Sequence, residues 1–520
     1  MQNIKGFLVI VFIFVGALGR LYAQNSIDIN ASSGVQSLRA PINNDSTAVV
    51  MFKDVERYRQ FDYNKQLANL RSENIGDTLL LNFFGDKQYK AVIQHVTTTN
   101  EGSTVITSRI VGSDFAYCYI VVSAESIAIS ADLPQADEYF FASVKNKQTY
   151  IGQMKKSVLH KDRLEDSEPP TAPAPMQEPP TDSIAGKPKS MNTPIQNSPL
   201  TPVVIDLLFV YTQSAVNWAK SSIYSNINNV ISLAEAEANL VMANSGTGVT
   251  FNVVHRYQTD YAGGNSNDLD RFSDPADGYM DEVHDLRSVF CADMMVFLDS
   301  ISYTGGVGWL LPTLSGFPDD ALAANVCRVQ QSASGYTVVH EIGHNMVCGH
   351  HANQITQPGP NTNLPSPFNL CSSGWRGTIG GTRYCSIMTY GAGSYFADGQ
   401  THARIPYFST PDSTYNGGTI GNASTMDNAR VIRETKTATA AYRTPPLTPT
   451  LNVSPEVLSF SNAPSATQKV AIAGFSISGN INYVKGGKDT NAFTVTPSAT
   501  WVPNQGGILN IAFTGSASQN

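Results

Sequence analysis

The chain has 520 residues, a formal net charge of −8, 42% hydrophobic residues and only 15% charged residues. This length is more than one hydrophobic core usually organises, so we expect about three structural units. No run of Lys or Arg stands out, which argues against a nucleic-acid partner or an anionic membrane surface.

Residues 1–23 have the pattern of a secretory signal peptide. Lys5 supplies a positive charge, residues 6–19 are almost wholly apolar, and Ala23 is a small residue suited to cleavage. An uncleaved anchor is the alternative, but this apolar run is short for a bilayer span of about 20 residues. We therefore expect a secreted, extracellular protein whose mature form has no membrane span.

Residues 24–160 read as a β-rich segment, because aromatic and β-branched residues alternate with polar residues between turns. Residues 161–202 then form a linker, in which ten prolines lie between Pro169 and Pro202. A signal followed by a small β domain and a linker suggests a removable pro-segment of a zymogen. An ordinary interdomain tether is the alternative.

Residues 203–443 predict an α/β (α+β) domain in which helices cover a twisted mixed sheet. Buried strands are predicted at 203–212, 249–257 and 292–300, a short strand at 307–312, and helices at 215–245, 268–290 and 427–442. Residues 444–520 contain short strand-like runs typical of an immunoglobulin-like β module. The segment is short for such a module, and an incomplete module is the alternative to a whole one.

The segment His340-Glu341-Ile342-Gly343-His344 carries the clearest chemistry. Residues i and i+4 share one helix face, so His340 and His344 can offer ring nitrogens to one Zn²⁺. Glu341 is then placed to act as a general base and acid without binding the metal. A polar helix face is the alternative, but the preceding run is apolar and predicts a buried helix, where unpartnered histidines are costly.

A catalytic zinc usually has three protein ligands and a water molecule. His350 lies six residues after His344, which is the spacing HExxHxxGxxH, although Val347 stands at the glycine position. Valine resists a positive φ, so we expect a shifted or differently shaped turn. His350 is favoured as the third ligand, and His351 is the alternative. A downstream glutamate is a poor third ligand, because the first one is Glu434 in the last predicted helix.

Residues 203–443 resemble the reprolysin-like branch of the metzincin zinc proteases, and most closely the bacterial peptidyl-Asp metalloendopeptidase type. The stretches that carry this resemblance are VVIDLLFVYTQSAV, DPADGYMDEVHDLR, GGVGWL, HEIGHN, SIMTY, RIPYFSTPD and DNARVI. The resemblance implies one catalytic zinc held by His340, His344 and His350. Val347 and His351 depart from the family pattern.

The resemblance assigns three further roles. Met388 would form the methionine turn below the metal, although a plain core methionine is the alternative. Tyr390 would stabilise the oxyanion of the tetrahedral intermediate, or else serve in packing. The edge strand of the sheet would hydrogen-bond an extended protein or peptide substrate through Gly305, Gly306, Val307, Gly308, Trp309 and Leu310.

Latency has two weak candidates in the sequence. Cys118 could block zinc as a thiolate, and residues 83–86 (FFGD) resemble the aspartate switch of astacin pro-segments, with a β-turn as the alternative. The six cysteines fit an oxidising compartment. Cys371 and Cys385 flank a short loop and could pair, Cys327 and Cys348 flank the zinc helix, and Cys291 reads as a buried free thiol.

The leading functional hypothesis is a zinc metalloendopeptidase. The alternatives are an inactive metzincin-fold adhesin or binding protein and a zinc hydrolase of a non-peptide bond. Preference for acidic residues would need a cationic pocket wall, for which Arg404 and Arg383 are candidates. No pattern indicates structural Ca²⁺, and the sequence leaves the oligomeric state open.

Overall fold

The computed structural model describes residues 25–31, 54–123, 126–171, 201–317, 319–460, 467–486, 490–496 and 506–514. The predicted signal peptide and most of the predicted linker lie outside these residues. Within the described part of the chain, no helix is both long and apolar enough to cross a bilayer.

The first unit is a nine-stranded sheet followed by a short helix. Its elements are β1 (Ser26–Asp28), β2 (Arg57–Gln60), β3 (Thr78–Phe84), β4 (Lys87–Thr98), β5 (Thr104–Ile110), β6 (Tyr117–Val122), β7 (Ile127–Leu133), β8 (Glu138–Lys145), β9 (Gln148–Lys155) and α1 (Lys156–Leu159). The order is β1-β3-β4-β5-β6-β7-β8-β9-β2, so that β3 to β9 form an antiparallel meander.

The second unit carries the predicted zinc helix. Its strands are β10 (Val203–Tyr211), β11 (Val249–Gln258), β12 (Met294–Asp299), β13 (Gly306–Gly308), β14 (Ala324–Arg328), β15 (Arg376–Ile379), β16 (Thr382–Cys385), β17 (Ala403–Arg404), β18 (Thr410–Tyr415) and β19 (Gly418–Ile420). Its helices are α2 (Gln213–Ser221), α3 (Ile227–Asn244), α4 (Asp268–Ser273), α5 (Glu282–Val289), α6 (Thr337–Asn345), α7 (Phe368–Cys371) and α8 (Asn428–Thr439).

The main sheet of this unit has the order β11-β10-β12-β14-β13. The first four strands are parallel to one another, and only β13 is antiparallel to its neighbour β14. Since β13 lies at the edge, one side of residues 306–308 pairs with no strand of this sheet. The mixed α/β architecture confirms the predicted fold of this region.

The predicted single helix over residues 215–245 is wrong in one respect. The structure divides it into α2 and α3, and Ser225 between them has a φ of +72°. Asn226 caps α3, because its side-chain oxygen accepts from the backbone N–H of Asn229 at 2.9 Å. A new helix therefore starts at Ile227, although the apolar spacing runs on across the break.

The first sheet packs against the second unit through alternating residues. Along β6, Tyr117 and Tyr119 face the core that contains α3, while Cys118 and Ile120 face the sheet's own core. Successive side chains of a strand point to opposite faces, so β6 is buried on both sides. This packing places the end of the first unit close to the predicted zinc helix.

The last unit contains β20 (Thr450–Ser454), β21 (Thr467–Phe475), β22 (Phe493–Thr496) and β23 (Gly506–Phe513). These strands form one antiparallel sheet in the order β20-β21-β23-β22. One of the strand-like runs of the sequence, residues 481–487, forms no strand over its described residues 481–486. A second sheet, as in an immunoglobulin-like sandwich, is not present among the described residues. Ala471 and Ala473 of β21 join the core beneath α5.

All six cysteines are buried free thiols, so the disulfides suggested by the sequence are not formed. Cys291 was predicted to be a buried free thiol, and it is one. The Sγ atom of Cys385 lies 3.8 Å from the carbonyl oxygen of Thr389 and 3.7 Å from that of His402. Cys327 faces the Oδ1 atom of Asn325 at 3.4 Å. These thiols are satisfied by polar backbone or side-chain oxygens rather than by one another.

Candidate metal centre

Helix α6 carries the HExxH segment in the interior of the second unit. All nine of its residues are buried, including the apolar first turn formed by Val338 and Val339. His340 and His344 lie one turn apart on one face, as predicted. Because both rings are nearly inaccessible to solvent, their polar nitrogens need partners inside the protein.

The turn after α6 is neither shifted nor reshaped by Val347, which corrects the expectation from the sequence. Val347 itself adopts the left-handed conformation, with a φ of +81°. Its N–H donates to the His344 carbonyl at 3.0 Å, and the Cys348 N–H donates to the Gly343 carbonyl at 2.8 Å. These two bonds form a Schellman motif with valine where glycine is usual. The chain therefore turns back in time for His350 to reach the site.

Replacing Val347 by glycine is expected to preserve bound metal and activity but to lower the free energy of unfolding by about 1 kcal/mol. Glycine relieves a left-handed strain of about 1–2 kcal/mol. It also removes a fully buried side chain whose burial contributes about 1.5–3 kcal/mol, and it adds backbone freedom. Urea unfolding and metal content check this expectation, and loss of the metal would contradict the described turn.

The ring nitrogens of the three histidines converge on one point. The Nε2 atom of His350 lies 3.2 Å from that of His340 and 3.1 Å from that of His344. Each of the three side chains is at most 3% exposed. Among the described residues, these histidines and Asp166 form the only group of three or more potential ligand side chains close enough to share an ion.

The opposite ring nitrogens fix the tautomers. Each Nδ1 atom faces a backbone carbonyl: Ile387 at 2.9 Å from His340, Cys348 at 3.0 Å from His344, and Gln357 at 3.0 Å from His350. A carbonyl oxygen only accepts, so each Nδ1 carries the proton and each Nε2 keeps its lone pair. Backbone carbonyls in this position orient metal-binding histidines in general.

Burial also keeps the rings of His340 and His344 uncharged. It lowers the pKa of His344 to about 4, and it lowers the pKa of His340 despite the opposing effect of Asp166. Neutral imidazole is the form that binds a metal. Three neutral nitrogens that face one another repel unless a cation lies between them. With Zn–N distances of about 2.0–2.1 Å, a tetrahedral site has nitrogens about 3.3 Å apart, so these residues fit Zn²⁺.

Glu341 lies beside the histidines and has no hydrogen-bond partner for either carboxylate oxygen. It is fully buried, and burial followed by the charge of Asp166 raises its pKa well above the usual range. A Cβ atom added to Gly306 would lie 2.1 Å from its Oε1 atom. The missing side chain at residue 306 therefore lets the glutamate lie against the edge strand, next to the metal site.

Met388 lies against α6, and Tyr390 lies beside His350. Met388 is fully buried under α6, and a Cβ atom added to Gly343 would be 2.6 Å from its sulfur. The ring of Tyr390 has its centroid 4.9 Å from that of His350, and its hydroxyl donates to Gln357 Oε1 at 2.6 Å. Methionine thus supplies an apolar floor, and the tyrosine hydroxyl lies at the rim of the site.

The edge strand is tied to the zinc helix by Asn345. The Nδ2 group of this residue donates to the carbonyls of Trp309 at 2.9 Å and Ala324 at 3.0 Å. In addition, the Leu311 N–H donates to the His344 carbonyl at 3.1 Å. These bonds hold residues 305–311 at a fixed distance from the histidines.

The sequence analysis missed Asp166. The Oδ2 atom of this residue lies 3.3 Å from His340 Nε2, 3.4 Å from His344 Nε2 and 3.0 Å from His350 Nε2. The latency candidates lie elsewhere: Cys118 is in the core of the first sheet, and Asp86 pairs with Arg57 at the surface at 2.8 Å. The sequence feature that could have drawn attention to Asp166 is the acidic run at 165–168, just before the prolines.

Of the other candidate residues, only Arg404 approaches the site. Its Nη2 atom donates to the carbonyl of Thr389 at 3.1 Å, and its side chain is 9% exposed. Arg383 is exposed on β16. His351 points away from the other histidines, since its Nδ1 accepts from the Asn353 N–H at 3.0 Å.

Comparison with known proteins agrees with this geometry. Residues 201–409 match the model of metallo-peptidase family M12. The peptidyl-Asp metalloendopeptidase of Xanthomonas campestris pv. campestris is 35% identical over 255 residues, which cover 48% of this chain and 54% of that protein. The enzyme of the same name from Stenotrophomonas maltophilia (strain K279a) is 32% identical over 253 residues, covering 48% and 55%.

The chain therefore spans about half the length of the curated relatives it matches. A solved metalloproteinase-II from Bacteroides fragilis covers 56% of this chain and 87% of its own length, at 12% identity. Its TM-score of 0.36 is too low to support an argument. Residues 201–409 are therefore similar in sequence to metallo-peptidase family M12, and the histidine cluster of the site agrees with that similarity.

Proposed function

We propose that this protein is a zinc-dependent endopeptidase that hydrolyses peptide bonds in protein substrates. The observation that carries the proposal is the convergence of three neutral, oriented histidine nitrogens beside a buried glutamate without a partner. Such a glutamate is costly to bury unless the site is built to deliver a water molecule to it. The similarity to metallo-peptidase family M12 and the names of the curated relatives support the same conclusion.

His340, His344 and His350 would hold the zinc ion through their Nε2 atoms. When bound, the ion supplies a Lewis acid that polarises the scissile carbonyl and acidifies a water molecule. Glu341 accepts the proton of that water molecule on its free carboxylate and delivers it to the leaving amine. Tyr390 donates a hydrogen bond to the oxyanion of the tetrahedral intermediate, for which its hydroxyl lies at the rim of the site.

An extended substrate would bind along β13. The Gly305 N–H, the Gly306 carbonyl and the Leu310 N–H all point away from the sheet, because each bonds a segment outside it. Main-chain hydrogen bonds of this kind bind a peptide without regard to its sequence. Any preference for particular substrate side chains must then come from pockets beside the strand. Val307, Gly308 and Trp309 form the rest of the edge strand along which the substrate would lie.

We infer that Arg404 recognises an acidic side chain of the substrate. Its guanidinium lies 3.3 Å from a carboxylate oxygen of Glu165, so this site already binds an acidic side chain. Both groups are largely buried, where a charge-assisted hydrogen bond is strong. The curated relatives are named peptidyl-Asp metalloendopeptidases, which agrees with such a pocket.

Replacing Arg404 by alanine is expected to reduce cleavage next to acidic residues by roughly 10- to 100-fold, the value of one hydrogen bond to a charged group. Cleavage at other sites should change little. The measurement is mass spectrometry of the cut sites in denatured casein, with Arg383→Ala as the matched control because Arg383 is exposed. An unchanged preference would overturn the pocket, and a processed, zinc-loaded chain that cuts no casein would overturn the peptidase.

The remaining expectations concern export and processing. We propose that residues 1–23 direct secretion, that residues 24–160 form a pro-segment, and that residues 444–520 bind or anchor. The contacts between β6 and the core around α3 support a pro-segment that folds onto the enzyme. N-terminal sequencing of the secreted precursor measures the first cleavage position, and N-terminal sequencing of the mature chain measures the second.

A further inference from the structure

The pocket at Arg404 holds a glutamate side chain in this structure, and that side chain measures the depth of the pocket. The backbone of Glu165 lies along the edge strand, since its carbonyl accepts from the Gly305 N–H at 2.9 Å. Its carboxylate extends to the Nη2 atom of Arg404 at 3.3 Å. One residue further on, the Oδ2 atom of Asp166 lies 3.0 Å from the Nε2 atom of His350. The pocket therefore receives the side chain next to the residue that lies at the metal site.

The guanidinium of Arg404 is fixed in position at the far end of this pocket from the edge strand. Its Nη2 atom also donates to the Thr389 carbonyl at 3.1 Å, and its backbone pairs with Cys385 through β16 and β17. The Arg404 side chain is only 9% exposed, and the Glu165 side chain only 15%, so solvent screens their ion pair little. An arginine held at its backbone and at its tip is not free to follow a shorter partner toward the edge strand.

Open space beside this ion pair leaves room for a long side chain. A cavity of about 730 Å³ adjoins Glu165 and Arg404, and much of its wall is formed by residues 391–404 of the second unit. Within this wall, the ring of Tyr395 packs edge-on against Tyr390, with their centroids 4.7 Å apart. The aromatic pair connects the wall to the rim of the metal site. The pocket is thus deep enough for glutamate, and its cation and much of its wall do not depend on the first unit.

We propose that the enzyme cleaves next to glutamate in preference to aspartate. The inference rests on the proposed peptidase function, since it names the substrate side chain of the same pocket. Aspartate is shorter than glutamate by one methylene, or about 1.5 Å. With its backbone bonded to Gly305 as in Glu165, the carboxylate of aspartate would lie more than about 4 Å from Arg404, beyond the range of an ion pair. The names of the curated relatives point to aspartate instead, so the two expectations are opposite.

Matched peptides measure this preference as binding. The full chain carrying Glu341→Ala is treated briefly with trypsin to separate the first two units, the trypsin is inhibited, and gel filtration removes the released segment with Glu165. Three fluorescent peptides, copied from a mapped casein cut site, carry glutamate, aspartate or glutamine at one position. We expect the glutamate peptide to bind roughly 10- to 100-fold more tightly than the aspartate peptide, the value of one hydrogen bond to a charged group. Glutamine has the length without the charge, so its peptide should also bind more weakly than the glutamate peptide.

Cleavage by the processed parent chain tests the same preference during turnover. The value of kcat/KM should be larger for the glutamate peptide than for the aspartate peptide by a similar factor, and Arg404→Ala should bring this ratio close to one. Arg383→Ala, at an exposed position, is the matched control and should keep the parent ratio. An aspartate peptide that is bound and cut as well as the glutamate peptide, or better, would overturn the inference while leaving the peptidase. A zinc-loaded chain that cuts neither the peptides nor casein would instead overturn the proposed function.

Discussion

Replacing Glu341 by alanine is expected to lower the rate of casein hydrolysis by roughly 10²- to 10⁴-fold, the usual contribution of a general acid–base group. Glu341 lies beside the metal site with both carboxylate oxygens free of partners. Bound zinc should remain near the parent level, because the histidines are oriented by backbone carbonyls and not by this glutamate. Rates are measured after brief trypsin treatment stopped with a serine-protease inhibitor, alongside zinc content.

Glu434→Ala is the control for this variant. Glu434 lies in α8 and is the first glutamate after Glu341 in the sequence. It is not in the cluster around the histidines, so its loss should affect neither zinc content nor rate. A Glu341→Ala enzyme that keeps the parent rate would contradict its role as the base.

The second large effect is expected for His350→Ala, which should lower zinc affinity by roughly 100-fold or more. Loss of a group that only orients a ligand costs about 10- to 100-fold, and loss of the ligand itself should cost at least as much. Two histidines would remain, which is fewer than a catalytic zinc site usually has. Zinc content after dialysis against a weak chelator measures the loss.

His351→Ala is the matched control, since it removes the adjacent histidine. The ring of His351 contacts Phe396 at a centroid distance of 5.6 Å and bonds the Asn353 N–H, away from the cluster. This variant can lose some stability through packing, but it should keep its zinc. Loss of zinc from the His351 variant and not from the His350 variant would reverse the assignment.

The sequence predicted the site well where local spacing decides geometry. A helix places His340 and His344 together through its own periodicity, and the spacing to His350 predicted the third nitrogen. The shape of the turn at Val347 was predicted wrongly, because conformational preference alone disfavours valine at a positive φ. The buried environment of this side chain and the two bonds of the Schellman motif hold the turn in place despite that preference.

Features that depend on distant segments were not predictable. Asp166 lies 178 residues before His344 in the chain, and only the packing of the first sheet against the second unit brings them together. The break between α2 and α3 follows from capping by Asn226, which is invisible to the apolar spacing. The cysteines suggested disulfides by number and proximity in sequence, but Cys385 bonds backbone carbonyls instead.

The choice between Arg404 and Arg383 also depends on how distant segments pair. The sequence offered both Arg404 and Arg383 as candidates for the cationic wall of a pocket that binds an acidic side chain. Pairing of β16 with β17 places Arg404 beside Thr389, whereas Arg383 is exposed. Strand pairing thus brings one of the two arginines to the site, and this choice could not be made from the sequence alone.

The most direct test of the account is the zinc dependence of peptide cleavage by the processed full chain. Cut sites in casein are mapped by mass spectrometry before chelation, after removal of the metal, and after zinc is restored. If the three histidines hold a catalytic zinc, cleavage stops in the metal-free sample and returns with about one equivalent of zinc per chain. Cleavage that persists without metal would contradict the account, as would a folded chain that holds one zinc and cuts no peptide bond.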